Sequence, residues 1–304
     1  MRTLLCLTLT STGLAAADDT CFLFSSFRGN GEDGLHLAWS ADGLRWTALG
    51  GDKSYLKPTV GKGKLMRDPC LLYGPDGVFR LVWTTGWYDR TIGYASSPDL
   101  LTWSPQQALG VMEHEPTARN AWAPEMYYDA GTRQYLVFWA TTIPGRFPQT
   151  DQTGDGGLNH RMYAITTKDF ATFTPTKLFY DGGFNVIDAT LAKVGERYAL
   201  VVKDETKTPV RKHLRVCWGD QAAGPFGPAG PAFTPDWVEG PSVVRVGDAW
   251  IVYYDCYTKH RYGAHKTKDF VSFEDISAQL SFPRDTRHGT VLQVPRAIVD
   301  RLRQ

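Results

Sequence analysis

The chain of 304 residues is long enough to bury a sizeable hydrophobic core, in one large domain or two. Its 33 basic and 32 acidic side chains leave a formal net charge of +1, so no strong field favours nucleic acid or an anionic membrane as a partner. Aromatic residues make up 13% of the chain, and 30 Gly and 18 Pro favour many short strands joined by turns.

The N-terminus has the pattern of an export signal. Arg2 precedes an apolar stretch from Leu4 to Leu14, and three alanines end it before two aspartates. We therefore predict a signal peptide over residues 1–17, a single mature domain over residues 18–304, and a secreted or periplasmic protein. The alternative is a disordered or buried N-terminal strand. No internal apolar run approaches the ~18 residues of a membrane-spanning helix.

Four cysteines remain once the signal is removed, and their spacing is irregular. They are Cys21, Cys70, Cys217 and Cys256. They contain no Cys-x-x-Cys pair, so the spacing does not favour a zinc site. Whether any two of them form a disulfide is left open by the sequence.

A short signature recurs along the chain: a strand, a small polar residue, Asp, an apolar residue, two further residues and an aromatic ring. Its copies are Ala41–Trp46, Ser96–Trp103, Thr166–Phe173 and Lys266–Phe273. A weaker relative between Trp218 and Phe226 fills the gap before the last copy.

A second unit, a β-hairpin with a tight turn, lies between these copies. Its copies run from Arg67 to Thr85, from Trp122 to Trp139, from Val186 to Val202 and from Val238 to Tyr254. Arg287 to Val294 has the pattern of a fifth opening strand with no partner after it.

Repeats of roughly 50 to 60 residues with about four strands each are typical of a β-propeller. We predict an all-β fold, a five-bladed β-propeller with four-stranded antiparallel blades. The fifth blade is split: its opening strand is C-terminal and its other strands come from residues 21–46. Pairing the N- and C-terminal strands closes the ring and removes an exposed sheet edge. Only a short helical turn is predicted, over residues 295–303.

Acidic residues stand where the first strands of three blades begin. They are Asp68, Asp188 and Glu239, and the second blade offers Ala123 or Glu125. Because the first strands of a propeller line its central channel in the same direction, we expect these side chains to meet at one mouth. Converging carboxyl groups repel one another, which separates their pKa values and suits paired acid and base roles.

Aromatic side chains flank the same strand starts. They are Trp87, Trp122, Phe184 and Trp237. Flat apolar rings beside carboxylates suit a sugar, whose C–H faces stack on aromatics while its hydroxyls seek polar groups. The alternative for each ring is packing between blades.

The order of the short motifs resembles that of the glycoside hydrolase family 43 propellers, over essentially the whole mature chain. The motifs are Arg67-Asp68-Pro69, Trp122-Ala123-Pro124-Glu125, Val186-Ile187-Asp188, Glu239-Gly240-Pro241 and Arg287-His288-Gly289. Members of that family are mostly α-L-arabinofuranosidases, arabinanases and β-xylosidases. The sequence departs from them in two ways: a strand-rich segment of about fifty residues precedes Asp68, and Ala189 stands where many members have Pro.

The resemblance implies an inverting mechanism with no required cofactor. Asp68 matches the general base, Glu239 the general acid, and Asp188 the residue that orients the acid and tunes its pKa. The expected sugar-binding residues are Trp87, Trp122, Glu125, Phe184, Lys203 and Arg287. His288 would face the channel, where matching histidines help to hold calcium (Ca2+), although a lone His is more often a satisfied core residue.

Two further segments are of interest beside these motifs. The Gly-rich stretch from Thr150 to His160 could mimic a calcium loop but lacks the closing Glu of an EF-hand, so we expect a flexible rim loop. Asp204 and Glu205, which follow Lys203, are expected to be solvated.

The sequence thus predicts a glycoside hydrolase of arabinofuranosyl or xylosyl linkages in plant cell-wall carbohydrate, with no nucleic-acid or membrane partner; a monomer is assumed, since the sequence leaves the oligomeric state open. One alternative is a related propeller glycosidase, either galactoside-acting or β-fructosidase-like. The latter also carries Arg-Asp-Pro but has an earlier acidic motif with no good counterpart in residues 18–50. The other alternative is a sugar-binding propeller without catalysis.

Overall fold

The computed structural model describes residues 20–304, so the predicted signal peptide over residues 1–17 lies outside the described residues. The regular secondary structure of the described residues is almost entirely β. In chain order the strands are β1 (Thr20–Ser26), β2 (His36–Ser40), β3 (Thr47–Ala48), β4 (Arg67–Tyr73), β5 (Phe79–Thr84), β6 (Ile92–Ser97), β7 (Gln107–Leu109), β8 (Trp122–Asp129), β9 (Gln134–Thr142), β10 (His160–Thr167), β11 (Lys177–Tyr180), β12 (Val186–Val194), β13 (Arg197–Asp204), β14 (His213–Gly219), β15 (Glu239–Val246), β16 (Ala249–Cys256), β17 (Arg261–Thr267), β18 (Glu274–Asp275) and β19 (Val291–Pro295). A single α-helix, α1 (Arg296–Leu302), follows them.

These strands form five antiparallel sheets, which confirms the five-bladed propeller. Blades one to four are β4–β7, β8–β11, β12–β14 and β15–β18, and the fifth has the order β19-β1-β2-β3. β1 pairs with β19 from Thr20 opposite Pro295 to Phe24 opposite Val291, so the two ends of the chain close the ring as predicted. The predicted helical turn at 295–303 is also present, as α1. No helix among residues 20–304 is long and apolar enough to cross a membrane.

The third blade differs from its neighbours because it contains three strands. Its outer edge is met only by isolated bridges, Arg215 with Ala232 and Gly219 with Phe226. The segment that would form a fourth strand carries Pro225, Pro228 and Pro231. Proline has no amide N–H to donate to a ladder, which explains why pairing there is reduced to single bridges.

Five hydrophobic clusters hold the blades together, one at each interface between neighbours. The second strand of a blade is covered on both faces, so every residue of β5 is buried, and all but the first residue of β9. That explains why these strands read as continuous apolar runs rather than as alternating ones. The core therefore forms a ring around the channel, and the channel itself is left for polar side chains.

The recurrent Asp signature has a local cause. After the third strand of each blade that carries it, a Ser or Thr hydroxyl accepts a hydrogen bond from the amide three residues on, and the Asp carboxylate accepts two amides of the following turn. In the first blade Ser97 accepts from Leu100 N at 2.7 Å, and Asp99 accepts from Leu101 N and Thr102 N at 2.9 and 2.7 Å. The side chains thus satisfy amides that the turn leaves unpaired.

Candidate active site

A β-bulge opens the inner strand of blades one to four, where the pairing register slips. The residue at the bulge has a positive φ in every case: +51° at Asp68, +45° at Ala123, +47° at Asp188 and +57° at Gly240. Non-glycine residues seldom adopt this conformation, and bulges of this kind re-aim side chains at functional sites. The same bulge conformation therefore turns Asp68 and Asp188 towards the channel mouth.

Glu239 reaches that mouth from a different position. Glu239 pairs with Asp255 just before the bulge of its strand, as Arg67 and Trp122 form pairs just before the bulges of their own strands. Gly240 occupies the bulge position. The expectation that the three acids occupy equivalent strand starts is therefore corrected: two occupy the bulge, and the third precedes it by one residue.

A cavity of about 310 Å³ opens at this end of the channel, within the range of small-ligand sites. Eight of the predicted site residues line it together: Asp68, Trp87, Trp122, Asp188, Lys203, Glu239, Arg287 and His288. The convergence expected from the repeat is thus present in the fold.

Asp68 is held as a carboxylate. Its Oδ2 accepts a hydrogen bond from Thr84 Oγ1 at 2.8 Å, and its Oδ1 lies 3.3 Å from His288 Nδ1. Burial opposes ionisation of this side chain, but the hydrogen bond and positive charge of His288 outweigh burial and lower the pKa of Asp68 to about 2. Asp68 therefore carries a full negative charge at neutral pH.

His288 carries the matching positive charge. Burial disfavours that charge, but Asp188 and Asp68 raise the pKa of His288 to about 9. Its Nδ1 lies 3.8 Å from Asp188 Oδ2, so one imidazolium bridges the acids of blades one and three. Within residues 20–304 no group of three or more His, Cys, Asp or Glu side chains has the geometry of a metal site. A protonated His288 offers no free lone pair to Ca2+, and the calcium expected beside it stays a prediction.

Asp188 lies deeper than Asp68 and is harder to ionise. Burial raises the pKa of Asp188 to about 6; His288 and Lys203 act against this, and the charges of Glu239 and Asp68 reinforce it. Its Oδ2 accepts a 3.0 Å hydrogen bond from the amide of Gly240. Asp188 is therefore tied to the backbone directly after Glu239.

Glu239 lies between two cations, with its side chain 20% exposed to the cavity. Its Oε2 is 3.2 Å from Lys203 Nζ, and its Oε1 is 3.3 Å from Arg287 Nη2. Each cation holds a second carboxylate: Lys203 contacts Glu205 at 2.6 Å, and Arg287 Nε contacts Asp255 at 3.0 Å. The carboxyl group of Glu239 is thus fixed from both sides.

Sequence reasoning missed a cluster of charged side chains behind Lys203. Glu205 bridges Lys203 and Lys212, and Lys212 also contacts Asp155 of the rim loop at 2.7 Å. The expectation that Asp204 and Glu205 are solvated is wrong, because both are buried: Asp204 is held by arginines at its blade's edge, and Glu205 by the two lysines. The charged residues Lys203 and Glu205, directly after the apolar run 198–202, were the available signal.

Two other predicted sugar contacts do not line the cavity. Glu125 is buried in the channel below it, where its Oε1 accepts a 2.9 Å hydrogen bond from Thr290 and burial raises its pKa to about 7. Phe184 is buried in the core between blades two and three, edge-on to Tyr180 and 4.9 Å from the Arg215 guanidinium. The expectation that Phe184 stacks on a sugar is corrected to the alternative of blade packing.

The aromatic side of the cavity is formed by Trp87 and Trp122, whose rings meet edge to face at 5.6 Å. Trp87 Nε1 donates to Asn30 at 3.1 Å, and the Arg67 guanidinium lies 4.3 Å from its ring. Trp122 donates to the carbonyl of Trp87 and packs at 4.9 Å against His160. Both rings are thus fixed, with Trp87 45% exposed and open to a ligand.

Comparison with known proteins agrees with this architecture. Residues 18–300 match the glycosyl hydrolase 43-related family, which is described as a probable glycosyl hydrolase domain. An α-L-arabinofuranosidase of Bifidobacterium longum subsp. longum is 31% identical over 124 residues, which is 38% of this chain. The match spans only 12% of that protein's length.

Solved structures with the same fold include two glycoside hydrolases. The α-L-arabinofuranosidase of Lactobacillus brevis gives a TM-score of 0.56 at 16% identity, over 70% of this chain and 72% of that one. An exo-β-1,3-galactanase from Clostridium thermocellum gives 0.54 at 10% identity, over 69% of this chain and 48% of that one. At these identities the similarity concerns the fold.

Proposed function

This chain belongs to the glycosyl hydrolase 43-related family, and we propose that it is an inverting glycoside hydrolase of arabinofuranosyl or xylosyl linkages in plant cell-wall carbohydrate. The observation that carries the proposal is that two carboxyl groups with different surroundings share one cavity. Asp68 is kept ionised by His288, and Glu239 is fixed between two cations. Inverting hydrolysis requires such a pair.

In this mechanism Asp68 is the general base. Its pKa of about 2 keeps it ionised at any pH at which a glycosidase works, so it is ready to accept a proton from water. The water attacks the anomeric carbon on one face of the sugar while Glu239 protonates the leaving oxygen on the other. The two carboxyl groups then need a separation of about 6.5–9.5 Å to leave room for that water.

Asp188 supports the acid. Its hydrogen bond to the Gly240 amide fixes the backbone next to Glu239, and its negative charge helps Glu239 to keep a proton before donation. Trp87 and Trp122 would carry the apolar face of the sugar, while Arg287 is close enough to the acid to meet a ring hydroxyl.

The substrate is tested with a panel of aryl glycosides: α-L-arabinofuranoside, β-D-xyloside, β-D-galactoside and β-D-fucoside, together with arabinan and arabinoxylan. We expect hydrolysis of the first or second, with inversion seen by proton NMR. Hydrolysis of the galactoside alone would contradict the proposed substrate. Net retention would contradict the inverting mechanism, and saturable binding without turnover would contradict the proposal that the protein is an enzyme.

The catalytic roles are tested with D68N and E239Q on phenyl glycosides, because a phenol leaves poorly without a proton. Each variant should lose about 10³-fold or more in kcat while keeping its melting temperature. E239Q should recover partly with a 2,4-dinitrophenyl leaving group, which needs no acid, whereas D68N should not. Near-wild-type turnover of the phenyl glycoside by either variant would contradict its assignment.

Export is part of the proposal, with residues 1–17 as the signal and 18–304 as one catalytic domain. The composition and charge of the N-terminus support it. Intact mass of the protein recovered from the periplasm or medium should correspond to a chain that starts at Asp18. Recovery of the full-length chain from the cytoplasm alone would contradict it.

A further inference from the structure

Five charged side chains alternate in sign across blades three, four and five. The row is Glu205, Lys203, Glu239, Arg287 and Asp255, and successive members are 2.6, 3.2, 3.3 and 3.0 Å apart. Glu239 is its centre, and each cation beside Glu239 has a second carboxylate of its own. The row is therefore built symmetrically around the proposed acid.

Lys203 is the most deeply buried cation of the row. Its side chain is 1% exposed, and it lies on strand β13, directly opposite Ile187 at the bulge that carries Asp188. Burial works against the charge of Lys203, but the carboxylates of Glu205 and Glu239 hold its pKa well above the usual value. Lys203 is thus a fixed positive charge on a rigid strand.

Glu205 compensates that charge from the side away from the cavity. It is buried between Lys203 and Lys212, and these two lysines lower its pKa although burial opposes them. A buried ammonium next to a proton donor favours loss of the proton, because unlike charges attract strongly where water is excluded. The negative charge of Glu205 reduces that pull.

We propose that Lys203 and Glu205 are positioning residues for Glu239: Lys203 fixes its carboxyl group, and Glu205 cancels enough of the Lys203 charge for Glu239 to keep its proton until donation. This inference rests on the proposed role of Glu239 as general acid. It also gives Lys203 a task other than the sugar binding expected from sequence.

Several groups act on Glu239, and those that are not substituted must stay constant in a test. The titratable and charged side chains that face it are Asp188 on β12, Lys203 on β13, Asp255 on β16 with Tyr257 just after it, Tyr262 on β17, and Arg287 and His288 ahead of β19. Single substitutions at 203 and 205 leave all the remaining members in place.

The proposal predicts shifts of opposite sign in the pH dependence of kcat/KM on a phenyl glycoside. The basic limb of that profile reports loss of the proton from the acid. K203M removes a positive charge beside Glu239, so the basic limb should move to higher pH. E205Q removes a negative charge, so the limb should move to lower pH. We expect about one pH unit in each direction, the usual effect of a charge at this distance.

Two variants act as controls. K203R keeps the charge and should leave the limb in place. K207M removes a lysine from the loop that follows β13. Lys207 contacts Asp155 at the exposed rim and not Glu239, so the pH profile of K207M should match that of the wild type. E205Q is isosteric and leaves Lys203 and Lys212 their other partners, Glu239 and Asp155, so it should fold even if K203M does not.

The outcomes separate the two proposals. Suppose that E239Q loses activity on the phenyl glycoside but E205Q leaves the basic limb unmoved or moves it to higher pH. The positioning role of Lys203 and Glu205 is then contradicted, while the role of Glu239 as general acid is supported. A raised KM with an unmoved limb in K203M would instead make Lys203 a sugar-binding residue and also overturn the positioning role. Full activity of E239Q on the phenyl glycoside would contradict the role of Glu239 as general acid.

Discussion

The amide of Gly240 donates a 3.0 Å hydrogen bond to Oδ2 of Asp188, which joins the bulges of the neighbouring blades three and four. The packing of His288 beside this contact needs a residue without a side chain at position 240. A Cβ there would lie 2.4 Å from Cγ of His288, which is closer than real Cβ contacts come. The glycine after Glu239 therefore allows the His288 ring to lie between the acids.

G240A tests this packing, and G247A is its matched control. Both glycines have a positive φ, +57° and +63°, but an added Cβ at Gly247 would meet nothing within 4 Å. G247A should cost about 1 kcal/mol of unfolding free energy from backbone strain alone. G240A should cost about 2 kcal/mol more because the clash with His288 adds to it, and kcat should fall as the ring is displaced. Equal losses in denaturant titrations of the two variants would contradict the packing argument.

The charge on His288 predicts a pH-dependent contribution to stability. Its pKa rises from 6.5 to about 9 on folding, so its stabilisation is complete below pH 6.5 and is lost as the pH rises through 9. Between pH 7 and 9.5, Asp68 and Asp188 do not titrate, because their pKa values of about 2 and 6 lie below this window. The stability advantage of wild type over H288N should therefore shrink by roughly 2–3 kcal/mol across it.

The measurement is chemical unfolding of both proteins at pH 7 and pH 9.5 at one ionic strength. Groups that His288 does not contact titrate alike in both proteins and cancel in the difference. An advantage that stays constant between the two pH values would mean that His288 is neutral in the folded protein.

Much of this site could be predicted from the repeat, because propeller geometry converts equivalent strand starts into neighbours in space. The repeat alone predicts that Asp68, Asp188 and Glu239 meet at one mouth of the channel. The repeat does not show that Glu239 lies one residue before the position of the other two acids. When Arg67-Asp68-Pro69 is aligned with Glu239-Gly240-Pro241, Gly240 matches Asp68, and this alignment follows from the bulge and not from which residues are acidic.

Buried polar residues outside the repeat were the harder part. Glu205 follows a strand and looks like a solvated loop residue, but the loop that carries Lys212 folds back and supplies a partner. Phe184 stands beside a first strand, yet its ring turns into the core between blades. Both outcomes depend on how the chain folds, back within one loop for Glu205 and against the neighbouring blade for Phe184, which the sequence pattern does not show.

Trp87 is expected to act as a sugar platform. W87A should raise KM about 10-fold with little change in kcat, because stacking on an exposed ring contributes similarly to the ground and transition states. Y88A is the control: Tyr88 is the next residue and is 73% exposed, but it does not line the cavity. Initial rates on the accepted aryl glycoside give both constants. A KM change of the same size in Y88A would point to disturbance of the loop.

The four cysteines of residues 20–304 are buried and unpaired, although the predicted compartment is oxidising. Burial raises the pKa of all four thiols, that of Cys217 to about 11, so little reactive thiolate is present at neutral pH. We expect no thiol of the native protein to react with Ellman's reagent on the time scale of minutes, and a reducing agent to leave the melting temperature unchanged.

In denaturant the same titration also tests signal cleavage. A chain that begins at Asp18 should show four thiols, and a chain that retains Cys6 should show five, because the whole sequence has five cysteines. Two thiols in denaturant without reductant would mean that a disulfide forms in the exported protein. A melting temperature that falls with reductant would agree with that result, since a disulfide typically contributes about 2–4 kcal/mol.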